Sequence, residues 1–338
     1  MKKRLLAGLM AGLMAVGMTA CGSPAADTEA QGGTEAAGGG ASAEALNIQV
    51  VVNTLASEYW SYVAAGAEAY GEENSDVTVK VVGPPSETGY DEQMNMIETA
   101  ISSAQYDGMV ISPLQADTVA EKIAGVEIPI IAVNTKIDAP EVGTFVGTGN
   151  QLAAAQGGAA AVEAAKAAGW ETVNAICMAG TQGDPTGQER YDGFKQGIEE
   201  AGGTFLEDET QYADWVADKA VACMESIMQT HPEGVAIICA NNDDMAIAAA
   251  RAAQGNAAYE NTIFCGFDGN KSACQSILEG GETMSVAQDA YGMGYKAVDA
   301  CVRAIRGEEM EEFIDTGCEI VTVDTAQARL DTLEGYAA

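Results

Sequence analysis

The sequence predicts an α/β protein built as two Rossmann-like, doubly wound lobes, and three observations carry that expectation. Short apolar runs rich in β-formers alternate with stretches of helical periodicity. The alternation occurs twice, in two series of similar length. The chain has 338 residues and is 47% apolar, which leaves room for two hydrophobic cores behind its amino-terminal segments.

Residues 1–20 read as an export signal. Lys2, Lys3 and Arg4 precede an apolar run over residues 5–17, which is shorter than the roughly 20 residues that span a bilayer. Met18, Thr19, Ala20 and Cys21 resemble a bacterial lipoprotein box, with methionine where leucine is usual; cleavage before Cys21 would make it the acylated new terminus. From Cys21 to residue 45 the chain is Gly, Ala, Ser, Thr and Glu with almost no large apolar side chain, too little to offset the entropy of ordering it. A flexible tether on a lipid anchor is expected, held to the membrane by more than one acyl chain.

The first series then runs through apolar stretches at 48–52, 77–82, 109–111 and 130–133. Between them fall helical stripes such as Tyr59, Val63, Ala67 and Tyr70, or Met94, Ile97 and Ile101. A second series follows at 173–178, 204–206, 235–239, 263–267 and 284–287, with a helix through Ala217, Val221, Met224 and Met228. Ligands of such sheets sit outside the carboxyl ends of the strands, so the strand-to-helix loops are where function is expected.

Charge and composition exclude several classes. The net charge of −34, or −37 once the three basic residues of the signal are removed, repels nucleic acid and anionic lipid. His231 is the only histidine, so a Ser-His-Asp triad or a multi-histidine metal site has no material. The glycines at 147 and 149, and at 292 and 294, lack the third glycine of a dinucleotide fingerprint, and no GxxxxGK[ST] loop occurs. No cofactor, no metal and no enzymatic activity are expected. Beside Cys21, cysteines stand at 177, 223, 239, 265, 274, 301 and 318 without CxxC pairs. Reduced thiols buried in the core are favoured over a disulfide framework, with a Cys265 to Cys274 bridge left open.

Six segments carry a family resemblance: VVNTLASEYWSYVAAGAEA at 51–69, IPIIAVNT at 128–135, GTQGDPTGQERYDGF at 180–194, HPEGVAIICANNDDMAIAA at 231–249, CGFDG at 265–269 and VAQD at 286–289. In order and spacing they resemble the ribose and galactose branch of the type I periplasmic sugar-binding proteins, from about residue 46 to about residue 324. The resemblance implies two lobes joined by a three-strand hinge, with crossings near 148–150, 288–289 and 317–318. It divides the chain into a first lobe of 46–149 plus 289–317 and a second of 150–288 plus 318–338.

It also implies a ligand site. Asn53, Ser57, Tyr59 and Trp60 fall at a strand end and helix start, where the family presents polar groups and stacking aromatics; Tyr59 also fits the core stripe of its helix. Trp215 matches a second stacking position. Arg190 brings five donors in a planar fork, Asp268 accepts from paired hydroxyls or caps a helix, and Asn242 and Gln288 do both. Asn134 and Thr135 stand where this branch often has Asp-Arg, which leaves room for a larger or differently oriented solute. One arginine against one aspartate among amides and aromatics implies neutral polar recognition that salt barely alters.

The implied role is capture of one monosaccharide or similar polyol, as a monomer, for an ABC transporter permease. The alternatives are a receptor for a sugar-like signal, such as a furanosyl autoinducer or a chemoreceptor ligand, and a binder of inositol or another polyol. The effector domain of lactose-repressor-type regulators shares the fold, but this chain has an export signal and no helix-turn-helix.

Overall fold

The computed structural model describes residues 45–336; the expected signal, the lipidation site Cys21 and the tether up to residue 44 lie outside the described residues. The chain opens with β1 (Leu46–Val51), α1 (Glu58–Glu73), β2 (Val77–Val82), α2 (Tyr90–Ser103), β3 (Gly108–Ile111), α3 (Ala116–Ile123), β4 (Ile130–Val133) and β5 (Val142–Gly147). It passes into a second lobe through α4 (Asn150–Ala167), β6 (Asn174–Ala179), α5 (Pro185–Glu200), β7 (Thr204–Phe205), β8 (Gln211–Tyr212), α6 (Ala217–Thr230), β9 (Ile237–Ala240), α7 (Asp243–Ala253), β10 (Ile263–Asp268), α8 (Lys271–Glu279) and β11 (Met284–Gln288). It returns with α9 (Ala290–Ile305) and β12 (Phe313–Asp315), then crosses again to β13 (Cys318–Val321) and α10 (Ala326–Tyr336).

Two sheets result, ordered β12-β5-β4-β3-β1-β2 and β13-β11-β10-β9-β6-β7, with β8 paired to the far end of β6. Every pairing is parallel except that of β13 with β11. The strand order reverses beside β1 in one lobe and beside β6 in the other. Those are the switch points at which doubly wound sheets open a crevice at their carboxyl ends.

The interior strands are apolar throughout because helices cover both faces: β3 (GMVI) and β4 (IIAV) are buried at every position. In the first lobe Val50 and Ile131 face the cluster holding Val63 and Met293, whereas Val51 and Ile130 face Ile97, Val119 and Ile123. The second sheet divides likewise, Phe194 and Ile198 packing on one face and Met224 and Met245 on the other. Helices α1 and α9 approach closely at Gly66 and Gly294, where a Cβ would strike the backbone carbonyl of Tyr291 or of Val63.

Crossings between the sheets fall at 148–149, at 289 and at 316–317. Across the region α10 packs on α8, Leu333 joins the first lobe's core, and Tyr336 stacks on Tyr291 at 4.2 Å between ring centroids. The seven described cysteines are unbridged, Cys265 and Cys274 included; Cys177, Cys239 and Cys265 line up in register across β6, β9 and β10.

The strands β5, β8, β12 and β13 are not among the apolar runs read from the sequence. β5 carries glycine at both its second and last positions, β8 has two residues, and β12 and β13 have three and four, with acidic residues in or beside them. Their strand character comes from the neighbouring strand they pair with, not from local pattern.

Candidate functional site

The carboxyl ends of both sheets face one another and enclose about 410 Å³ of empty volume, part of it open to solvent. Asn53, Ser57, Tyr59, Trp60, Glu87, Asn134 and Thr135 line it from the first lobe, and Asp184, Thr186, Arg190, Trp215, Asn242 and Asp268 from the second. A wider hollow of about 1670 Å³ opens between α7 and α8, but it draws on one lobe alone and its wall includes exposed Gln254, Gln275 and Glu279.

On the first lobe, the buried Gln93 amide ties the strand ends together. Its Nε2 donates to Val52 O (3.1 Å) and Ser112 O (2.9 Å), and its Oε1 accepts from Leu114 N (2.8 Å). That fixes the loop from which Asn53 enters the cleft. Tyr59 and Trp60, in the first turn of α1, meet edge to face at 5.1 Å, and both belong to the core cluster while lining the cleft. The two readings of Tyr59 are therefore both realised: its ring packs in the core and its hydroxyl donates to Asn134 Oδ1 at 2.8 Å. Trp60 Nε1 donates to Glu87 Oε1 at 2.9 Å.

On the second lobe, Arg190 is 3% exposed and held on several sides. Its Nε donates to Asn150 Oδ1 (2.9 Å), and its Nη1 to Asn241 O (2.7 Å) and Asp268 Oδ1 (3.3 Å). The guanidinium lies 3.8 Å from the Phe267 ring centroid. Gln288 is buried behind this group and not on the cleft wall; its Nε2 donates to Asp268 Oδ1 at 2.7 Å. Asp268 is not a helix cap: it ends β10, and Asn270 precedes α8. Beneath it, Asp243 accepts from Ser285 Oγ (2.6 Å) and Asn270 N (2.8 Å), and Ser285 Oγ accepts from Gly269 N (3.0 Å). Asn242 lines the cleft and caps α7, its Oδ1 accepting from Met245 N at 3.0 Å.

Backbone strain concentrates here. Asn134 (φ 62°), Trp215 (φ 65°) and Asp268 (φ 120°) are three of five described non-glycine residues with positive φ. Each such conformation costs on the order of 1 to 3 kcal/mol and persists only where its surroundings enforce it.

The lobes also touch across the cleft. Thr186 Oγ1 donates to Thr135 Oγ1 at 3.0 Å, Lys136 Nζ pairs with Glu189 Oε1 at 2.6 Å, and Ser272 N donates to Glu58 Oε2 at 3.2 Å.

The balance of one arginine against one aspartate does not hold. Glu87 and Asp184 also line the space, so three carboxylates face one guanidinium. Burial pushes the Glu87 acid up to about 7, partly opposed by the Trp60 hydrogen bond and reinforced by Asp268. Burial likewise raises Asp268 to about 7 against the pull of Arg190 and Gln288, and raises Asp184. Glu87 escapes a sequence reading because it sits in the loop after β2, in GPPSETG, where nothing local marks a cleft side chain. Asp184 and Thr186 flank Pro185 at the start of α5, a signal that reads as a helix start and nothing more.

Comparison with known proteins places these observations. The model of the family described as periplasmic binding protein domain matches residues 48–309. The D-allose-binding periplasmic protein of Escherichia coli K12 is 27% identical over 270 residues, covering 77% of this chain and 85% of its own length. The ribose import binding protein of the same organism is also 27% identical, covering 78% and 86%. Among solved structures, a carbohydrate transporter solute-binding protein from Agrobacterium radiobacter in complex with D-arabinose superposes with a TM-score of 0.75 at 25% identity, covering 86% of this chain and 99% of that one.

Proposed function

Because the chain belongs to the periplasmic binding protein domain family, we propose that it is an extracytoplasmic receptor that closes its two lobes around one monosaccharide or polyol for an ABC permease. The observation that carries this reading is the pairing of walls in one cleft: Tyr59 and Trp60 on one lobe, the Arg190–Asp268 group on the other. Sugar C–H faces pack on aromatic rings, and sugar hydroxyls, each both donor and acceptor, need the mixture of carboxylate, guanidinium and amide groups found opposite. The names of the relatives, with ribose, allose and arabinose among their solutes, support the same class. The eleven residues carried over by resemblance are its ligand-binding set, with Gln288 acting through Asp268. Closure turns about the three crossings.

In the same reading the protein is a monomer tethered to the membrane through acylated Cys21, with no catalytic step. Signal peptidase inhibition by globomycin, or Cys21→Ser, should move it from membrane to soluble fractions; unchanged partitioning removes the anchor from the proposal. A thermal-shift screen over pentoses, hexoses, inositols and furanosyl compounds tests the ligand class, since a solute bound only by the native state raises the melting temperature by mass action. Silence across that screen would overturn the sugar and polyol reading.

A further inference from the structure

The cleft holds three carboxylates, Glu87, Asp184 and Asp268, against one guanidinium. Arg190 commits its Nε and Nη1 to Asn150, Asn241 O and Asp268, and it is the one cation on the wall. Lys136, at the rim, is exposed and paired with Glu189. Glu87 meets only the indole N–H of Trp60 and no positive charge from the protein, whereas Asp184 accepts from the amino-terminal N–H groups of α5 and feels the Arg190 guanidinium that Asp268 already engages. One unfilled acceptor lies on the same wall. Asn53, 8% exposed, presents an Oδ1 with no hydrogen-bond partner.

We propose, resting on the sugar or polyol reading of this cleft, that the solute carries a protonated amine beside its hydroxyls: an amino sugar or an amino polyol. An ammonium group has three donors and no acceptor, which matches a carboxylate without a counter-charge and an unpaired amide oxygen lining the same cleft. A hydroxyl fills one acceptor but leaves the half-buried Glu87 carboxylate without a counter-charge, which closure around a solute would make more costly. The upward push on Glu87 from burial and from Asp268, Asp244 and Asp184 expresses the same imbalance, and a bound cation relieves it. Trp60 and Tyr59 supply ring faces that attract cations. A metal ion does not fit as well, because among the described residues no group of three His, Cys, Asp or Glu side chains converges closely enough to hold one. The net charge of −34 draws cationic solutes toward the protein from a distance.

The test is calorimetric titration of the full chain with matched pairs at pH 7.5: D-glucose and D-glucosamine, D-galactose and D-galactosamine, D-mannose and D-mannosamine, myo-inositol and an amino-deoxyinositol. The N-acetyl form of each amine serves as the uncharged control. The expected result is that at least one amine binds about ten- to a hundredfold tighter than its neutral parent, the range of a charged hydrogen bond, and that acetylation removes the gain. Glu87→Gln, which keeps an acceptor for Trp60, should pull the amine-to-parent ratio toward one, and Asp184→Asn, which keeps the helix cap, should lower it as well. If a neutral parent binds as tightly as its amine, the charge assignment is wrong while the sugar site stands. If no member of any pair binds, this inference falls, and the reading of the cleft falls with it only when the wider thermal-shift screen is silent too.

Discussion

The two walls of the cleft are built by different means. The first lobe meets the ligand space with aromatic rings that are also core residues, and its polar links are short and local: Tyr59 to Asn134, Trp60 to Glu87. The second lobe meets it with a charged group clamped from behind in two layers, Arg190 and Asp268 in front, Gln288, Asn150, Asp243 and Ser285 behind. The lesson is that shape on one side and charge on the other come from separate stabilising forces. Packing fixes the aromatic wall; a satisfied polar network fixes the charged one, and it fails as a unit when one member is removed.

The largest effect should come from the charged wall. Arg190→Ala leaves Asp268 buried without its counter-charge, which typically costs about 3 to 5 kcal/mol, so both solute affinity and apo stability should fall, as read by calorimetry and urea denaturation. An unchanged melting temperature would show that the network is not preorganised. Both walls then contribute to pH dependence. Glu87 and Asp268 have acids raised to about 7 from 4.5 and 3.8, so the folded chain holds those protons more tightly than the unfolded one. Unfolding releases protons across that window, and raising the pH from about 4 to about 7 should lower apo stability, on the order of 2 kcal/mol per group. Glu87→Gln should remove the first wall's share of the slope and Asp268→Asn the second's, measured by denaturation at each pH.

Trp215→Ala sharpens the comparison, since this ring belongs to the charged wall and lies 5.9 Å from the Arg190 guanidinium. Loss of a half-buried aromatic face that a bound solute would cover should cost about 2 kcal/mol, or roughly thirtyfold in affinity, in a titration with the screened solute. Thr186→Val deletes the hydroxyl that joins the two walls and should weaken binding by about 1 kcal/mol through the closed state, visible as a faster dissociation rate in stopped flow. Lys136→Ala breaks the exposed bridge to Glu189 and should change affinity by less than about 0.5 kcal/mol, with any effect lost in high salt.

The sequence by itself determined the double α/β series, because buried parallel strands must be apolar throughout and the helices between them must carry one apolar face; β1, β3, β4, β6, β9 and β10 are legible for that reason. It also determined which strand ends carry polar and aromatic side chains, such as Asn53 after β1, Asn242 after β9 and Asp268 at the end of β10. Tertiary structure decided what local pattern does not encode. β5, β12 and β13 become strands through their neighbours, and β12 and β13 are too short and acidic to announce themselves. Glu87 becomes a cleft residue only because the loop after β2 folds over Trp60. Asp243 and Glu282 carry no local mark of burial, yet both are buried beside β10 and β11, where desolvation raises their proton affinity well above that of free carboxylates. The physical reason is the same in each case: burial and charge balance depend on which distant segments close over a side chain, and periodicity reports only on the segment itself.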